Sequence, residues 1–208
     1  WALSATIIPV AILLIAALST PGWLWMTEFG GYDALSYHLQ LPREWIMLGG
    51  IVETPHNAYG YLPNGVEATF MHLGLLNGGM WNAVESTQLL VAGWTILAVL
   101  LCARTARQFV PEDSRAFTAA LAAAFLLATP WVIVVGSLAY DESAVLLALA
   151  AMLLLLMSGK ELDWRGGVLL GVLAGGACLA KLSSGILLII PLAVGSLLIL
   201  RRGQWIPL

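Results

Sequence analysis

Six long apolar runs dominate this 208-residue chain and leave little freedom in what it can fold into. They lie at about residues 2–18, 84–103, 117–135, 138–157 (with Ser143 as the other possible start), 166–180 and 186–200. A helix needs about 20 apolar residues to cross a bilayer, fewer where amphipathic residues extend its ends. Charged residues make up only 10% of the chain, whereas soluble domains carry about a quarter. The fold class expected is therefore all-α: a polytopic transmembrane helical bundle forming one domain over 1–208. The connector 19–83 is its one large loop, and it carries short interfacial helices. The chain begins at Trp1 and stops at Leu208, and we read it as the N-terminal portion of a longer protein. Apolar runs continue to its end, so the first is not a cleaved signal peptide. Cys102 and Cys178 both fall inside apolar runs and indicate no disulfide framework. A net charge of −3 argues against nucleic acid as a partner.

Positive charge orients the spans. If the first runs outward, the inner connectors hold Arg104, Arg107, Arg115, Lys160, Arg165, Arg201 and Arg202, seven of the nine Lys and Arg residues. The outer side keeps only Arg43 and Lys181. That asymmetry follows the positive-inside rule. The protein is thus expected in a plasma membrane, with 19–83 and the turns near 140 and 182 on the extracytoplasmic side.

The outer segment is too varied to be a tether. Thr20, Pro21 and Gly22 stop the first helix, and Trp23 and Trp25 suit a membrane interface. From Gly30 and Gly31 onward, Ala34, Tyr37, Leu41, Trp45 and Leu48 recur at helical spacing, which predicts a helix lying on the membrane surface. Pro42 divides it, so two short helices are the other reading. Gly49 and Gly50 end the element, a loop rich in Pro, Asn and Gly follows, and 67–76 reads as a further short helix. We expect a folded shelf over the outer membrane face.

Candidate chemistry gathers at that side. Asp33 is either a helix cap, the favoured reading on sequence alone, or a carboxylate serving as general base at the bilayer edge. Asp141 and Glu142 open the fourth span, where acidic residues suit a helix N-terminus; the pair also suits a divalent cation or a basic acceptor. Lys181, followed by Ser183 and Ser184, is either a phosphate anchor or a snorkelling lysine, on equal terms. His38, His56 and His72 lack metal-ligand spacing and read as solvated or hydrogen-bonded. Glu53 and His56 form one weak ligand pair. Gly167, Gly171 and Gly175 form a ridge suited to close helix approach.

Three stretches together carry a family likeness. Tyr32-Asp33-Ala34-Leu35-Ser36-Tyr37-His38-Leu39 with Pro42 and Trp45, then Ala139-Tyr140-Asp141-Glu142-Ser143, then Leu179-Ala180-Lys181-Leu182-Ser183-Ser184-Gly185 resemble the C-type polytopic glycosyltransferases. The nearest likeness is to the bacterial branch similar to dolichyl-phosphate-mannose mannosyltransferases and to aminoarabinose transferases. Pro63 and Glu67 resemble that family's second loop element. The resemblance implies an inverting transferase with a polyprenyl-phosphate-linked sugar as donor and a glycan, lipid or protein as acceptor. It implies Asp33 as catalytic base, with Asp141, Glu142, Lys181, Tyr37 and His38 binding substrate. It implies no certain cofactor; a divalent metal would fall to Asp33 and Asp141. Many members carry two adjacent acids in the first loop, whereas here Ala34 follows Asp33. The alternatives are a polytopic transporter or a non-catalytic membrane assembly protein. Against the transporter, no charged residue lies mid-span.

Overall fold

The computed structural model describes residues 4–25, 31–158 and 163–201, with side chains described through 195. Residues 2 and 3 of the first run, Gly30, Lys160 and Arg202 lie outside the described residues. The described residues form α-helices and short 3-10 and π turns, with no strand. The helices are α1 (Ser4–Ala17), α2 (Gln40–Leu48), α3 (Gly65–Leu76), α4 (Val84–Ala106), α5 (Arg115–Leu127), α6 (Pro130–Gly136), α7 (Glu142–Leu156), α8 (Trp164–Ala180) and α9 (Ile190–Arg201).

α4 is the central post, packing against α1, α5, α6 and α7, while α8 packs on α7. With flanking 3-10 turns it runs unbroken over Met80–Phe109, 30 residues, which at 1.5 Å per residue spans about 45 Å. It is the one continuous helix among the described residues long and apolar enough to cross a bilayer. The run expected at 117–135 is not one straight span: α5 and α6 meet at 71°. Pro130 explains the break. It has no N–H to donate and it disfavours helical geometry at the residue before it; Thr129 is accordingly extended, at φ −78° and ψ 111°. α1, α7 and α8 are shorter apolar helices. α7 begins at Glu142, and residues 138–141 form the turn before it.

Buried polar side chains tie the helices of the bundle together at several points. Gln88 Nε2 donates to the carbonyls of Ala17 and Ser19, at 2.9 and 2.8 Å, which pins the end of α1 to α4. Thr95 and Ser143 share a buried hydrogen bond of 2.8 Å between α4 and α7. Trp25 Nε1 donates to Ser137 Oγ at 3.0 Å. Around them pack Leu13, Ala17, Ala92, Val99, Leu127 and Ile133.

The described part of the segment after α1 is folded against the bundle, and we call it the shelf. Ala34, Leu39, Val66, Phe70, Met80 and Ala83 form one core with Val84 of α4, Ala139 and Ala180. The shelf therefore rests on the end of the bundle where α4 and α7 begin and α8 ends. Its first helical stretch is in two pieces, as Pro42 suggested: a π turn over Ala34–His38, then α2. Pro42 sits in the first turn of α2, where its missing N–H has no helical partner to lose. Gly49 closes α2 in the left-handed region at φ 78°. The apolar stripe differs from the surface helix expected. Ala34, Leu41 and Trp45 are buried, so most of the stripe faces the protein, while Met47, Leu48 and Ile51 point outward. Among the described residues, nothing lies within 4 Å of where a Cβ would stand at Gly167, Gly171 or Gly175 on the glycine ridge of α8.

Candidate functional site

Two π turns frame the site, each adjoining a candidate ligand. A π turn widens the helix by one residue and recurs at functional positions. The first, Ala34–His38, follows Asp33 and turns Tyr37 and His38 inward; the second, Gly185–Ile189, follows the Lys181–Ser184 turn. Asp141 is the residue before α7, and Lys181 is the residue after α8. α7 and α8 pack antiparallel, so these two ends meet.

Lys181 Nζ donates to Asp141 Oδ1 at 3.0 Å and to Glu142 Oε1 at 2.5 Å. Burial is the first cause pushing the Asp141 carboxyl up to about 6; the Glu142 charge adds to it, and His38 and Lys181 pull the other way. For Lys181, burial works against the ammonium, but its bonds and attraction to the two carboxylates outweigh that and raise its pKa. Behind this clamp lies a second pair. His38 Nδ1 and Glu67 Oε1 stand 2.5 Å apart, both side chains almost fully buried. Tyr37 stacks on Tyr59, with ring centroids 4.0 Å apart and planes within 10°, and Tyr140 leans on His38 at 5.4 Å. Burial, then the negative field of Asp33, Asp141, Glu142 and Glu67, raises the Tyr37 phenol. Burial and the charges of Asp33 and Glu142 push Tyr140 up to about 12, against a backbone hydrogen bond from Asp33 and the charge of Lys181.

Two cavities open on the cluster. The larger, about 630 Å³, has Tyr32, Asp33, Tyr140 and Glu142 at its polar end and an apolar wall that includes Trp131, Val145, Leu149 and Leu188. The smaller, about 230 Å³, is lined by Tyr37, Tyr59, Asn64, Glu67, Asp141 and Lys181. A polar end on a long apolar wall suits an amphiphile whose head group must meet carboxylates. The smaller cavity, with its stacked tyrosines and hydrogen-bonding rim, suits a polar molecule.

All six site residues expected from sequence fall in or beside this cluster. Asp33 is half-buried on the wall of the larger cavity. It precedes a helical turn, yet its side chain makes no capping hydrogen bond, so the cap, favoured on sequence alone, has no geometry here. Asp141 likewise makes no side-chain cap, because its carboxylate is turned to Lys181. Lys181 is held by two carboxylates, so an incoming phosphate would have to share it. Among the described residues, the group of three that could hold a cation with Asp141 is completed by His38 and Glu67; Asp33 is not part of it. Of the other histidines, His56 pairs with Glu44 at 3.1 Å rather than with Glu53, and His72 is exposed.

Glu67 and Tyr140 were not singled out by residue chemistry alone. The sign for Glu67 was available: the one carboxylate of α3, in its first turn beside the buried Val66 and Phe70. An acid on a buried face needs a partner. No family model, curated protein or solved structure matches the chain.

Proposed function

We propose that the chain is a polytopic membrane glycosyltransferase, moving a sugar from a polyprenyl-phosphate carrier to a glycan, lipid or protein acceptor on the extracytoplasmic side of a plasma membrane. The observation that carries the reading is the larger cavity. It joins one carboxylate without a hydrogen-bond partner among the described residues, Asp33, to an apolar wall between α6, α7 and the second π turn. A lipid-phosphate sugar has that same division, with a polyprenyl tail for the wall and a sugar phosphate for the polar end.

The membrane reading has its own support. Large apolar side chains stand on the outside of the bundle: Ile8 is 69% exposed, Phe117 64%, Phe125 76% and Val172 65%. Helices apolar on their outer faces as well as their inner ones suit lipid as solvent. The described basic residues Arg104, Arg107, Arg115 and Arg165 lie at the end of the bundle away from the shelf, and under the positive-inside rule this supports an outward-facing shelf.

In the transfer, Asp33 takes the proton of the acceptor hydroxyl as its oxygen bonds to the anomeric carbon. The anomeric carbon–oxygen bond to the carrier breaks, and its electron pair leaves on the phosphate. Attack opposite the leaving group inverts the configuration. Positive charge near the leaving phosphate lowers the barrier, and Lys181, on the rim of the adjoining smaller cavity, is the candidate to supply it. The test uses the full-length protein in proteoliposomes with polyprenyl-phosphate mannose as donor. Asp33→Asn should lower transfer by about 10²–10⁴-fold, the usual share of a positioned base, with expression unchanged. Normal transfer by this variant would remove Asp33 from the role. The break between α5 and α6 favours a transporter as the second reading, since transporters use broken helices at their sites. Solute uptake by the same vesicles, unaffected by Asp33→Asn, would favour it.

A further inference from the structure

We propose that His38, Glu67 and Asp141 form a binding site for a first-row divalent cation of the zinc class. One ligand atom from each lies within 4.8 Å of the others, and all three residues are buried. They come from three separate elements: the end of the first π turn, the first turn of α3 and the residue before α7. Residues 29 and 74 apart in sequence (38 to 67, 67 to 141) are thus fixed around one point by the packing of the shelf on the bundle.

A second observation points independently to a ligand. Glu67 is 2% exposed, and its Oε2 atom is buried with no hydrogen-bond partner. A carboxylate oxygen in that position is costly unless something positive meets it. The charge balance asks for the same thing. Asp141 and Glu142 share a single ammonium, Lys181, while Glu67 stands against His38, so the ionised cluster holds two negative charges in excess when His38 is neutral. A divalent cation cancels that excess.

The donor set selects the metal. One imidazole nitrogen with two carboxylate oxygens suits zinc or its first-row neighbours better than magnesium or calcium, which prefer oxygen alone. Three protein ligands leave a fourth position open, the arrangement of zinc sites that bind or activate a ligand. Glu67 and Asp141 both line the smaller cavity, so that position faces it. Tetrahedral zinc needs ligand atoms about 3.3 Å apart, given bonds of about 2.0–2.1 Å. Coordination would bring the ligand atoms to that spacing, opening the 2.5 Å contact between His38 Nδ1 and Glu67 Oε1 if those two atoms bind, and leave Asp141 Oδ1 bonded to Lys181. The surroundings of metal ligands usually hold them in this way.

The site does not rest on the transfer reaction, because metal content is measured without donor or acceptor. The full-length protein is stripped with chelator, dialysed against zinc-buffered solution at neutral pH and assayed for bound zinc. About one zinc per chain is expected, together with a melting temperature that rises with free zinc. Glu67→Gln and Asp141→Asn should each lower zinc content by at least about tenfold, the loss expected even from disturbing a ligand's hydrogen-bond partner. His56→Ala and His72→Ala should leave it unchanged. X-ray absorption of the zinc-loaded wild type covers the case in which a variant does not fold: the first shell should be one imidazole and oxygen ligands, without sulfur. No stoichiometric zinc in the wild type would overturn the proposal and leave protons to balance the cluster. Sulfur in the first shell, or zinc lost only with His56 or His72, would overturn it too.

Discussion

Lys181→Met gives the sharpest test of how the site is held. In the folded protein Lys181 Nζ bridges Asp141 and Glu142, whose side chains are 10% and 41% exposed; the lysine itself is 38% exposed. Removing one partner from a fully buried ion pair costs about 3–5 kcal/mol, because a charge is stranded away from water. A fully exposed pair is worth about 0.2–1 kcal/mol. This clamp lies between those limits: Asp141 is nearly buried, whereas water reaches the lysine and Glu142. We expect a loss of about 1–3 kcal/mol, and methionine keeps most of the apolar stem, so lost packing adds little. For a chain of this size each kcal/mol lowers Tm by about 2–4 °C, giving a fall of about 2–12 °C. Thermal unfolding of the full-length protein in detergent measures it. A double-mutant cycle with Asp141→Asn separates the pair from everything else Lys181 touches. If the bridge is real, Lys181→Met should cost less in the Asp141→Asn background by about 1 kcal/mol or more. Equal cost in both backgrounds would refute the clamp, and with it the meeting of the α7 and α8 ends.

The remaining expectations are independent of one another. Gly136→Ala would put a methyl group 2.7 Å from Thr95 Oγ1 and 3.0 Å from its Cγ2, so it should destabilise by about 1–3 kcal/mol, and Thr95→Ala should recover part of that in thermal melts. Tyr140 has its phenol raised from 10.0 to about 12 in the folded state, so the stability it contributes is present below pH 10 and is lost as pH rises through about 12. Tyr140→Phe should therefore show a shallower alkaline decline than the wild type in melts across that window, and an identical decline would contradict the burial of that phenol. Cysteines introduced at 33 and 141 should react with a membrane-impermeant reagent from the same side, and cysteines at 104 and 115 only from the opposite side; labelling of 33 and 141 from different faces would end the shared-site reading.

The helices were legible because their cause is local. Apolar run length, the stop at Thr20-Pro21-Gly22 and the left-handed glycine at 49 are properties of neighbouring residues, and they recur in the fold almost where expected. The break at Pro130 is written just as plainly, in a residue whose chemistry disfavours a continuous helix, but the apolar run continues through it and hides it. Hydropathy averages over a window, whereas a proline acts at a single peptide bond. The stripe from Ala34 to Leu48 shows the opposite limit. Its periodicity located the apolar face but not what covers it, since lipid and a protein core reward the same side chains.

Side-chain chemistry alone marked Asp33, Asp141, Glu142 and Lys181 as candidates, and the family likeness added Tyr37 and His38. Which of them touch was decided only by the packing of the shelf on the bundle. Lys181 reaches Asp141 because α7 and α8 run antiparallel, and His38 reaches Glu67 because α3 folds back over the first π turn. A cap and a site ligand look alike in sequence, for both place an acid at the end of a helix. They part only when the carboxylate's partner is known, and that partner lies dozens of residues away. Sequence thus determined what each segment of this protein can be, because helix formation and apolar burial depend on near neighbours. Tertiary structure decided where its charges meet, because electrostatic contact depends on distance through space rather than along the chain.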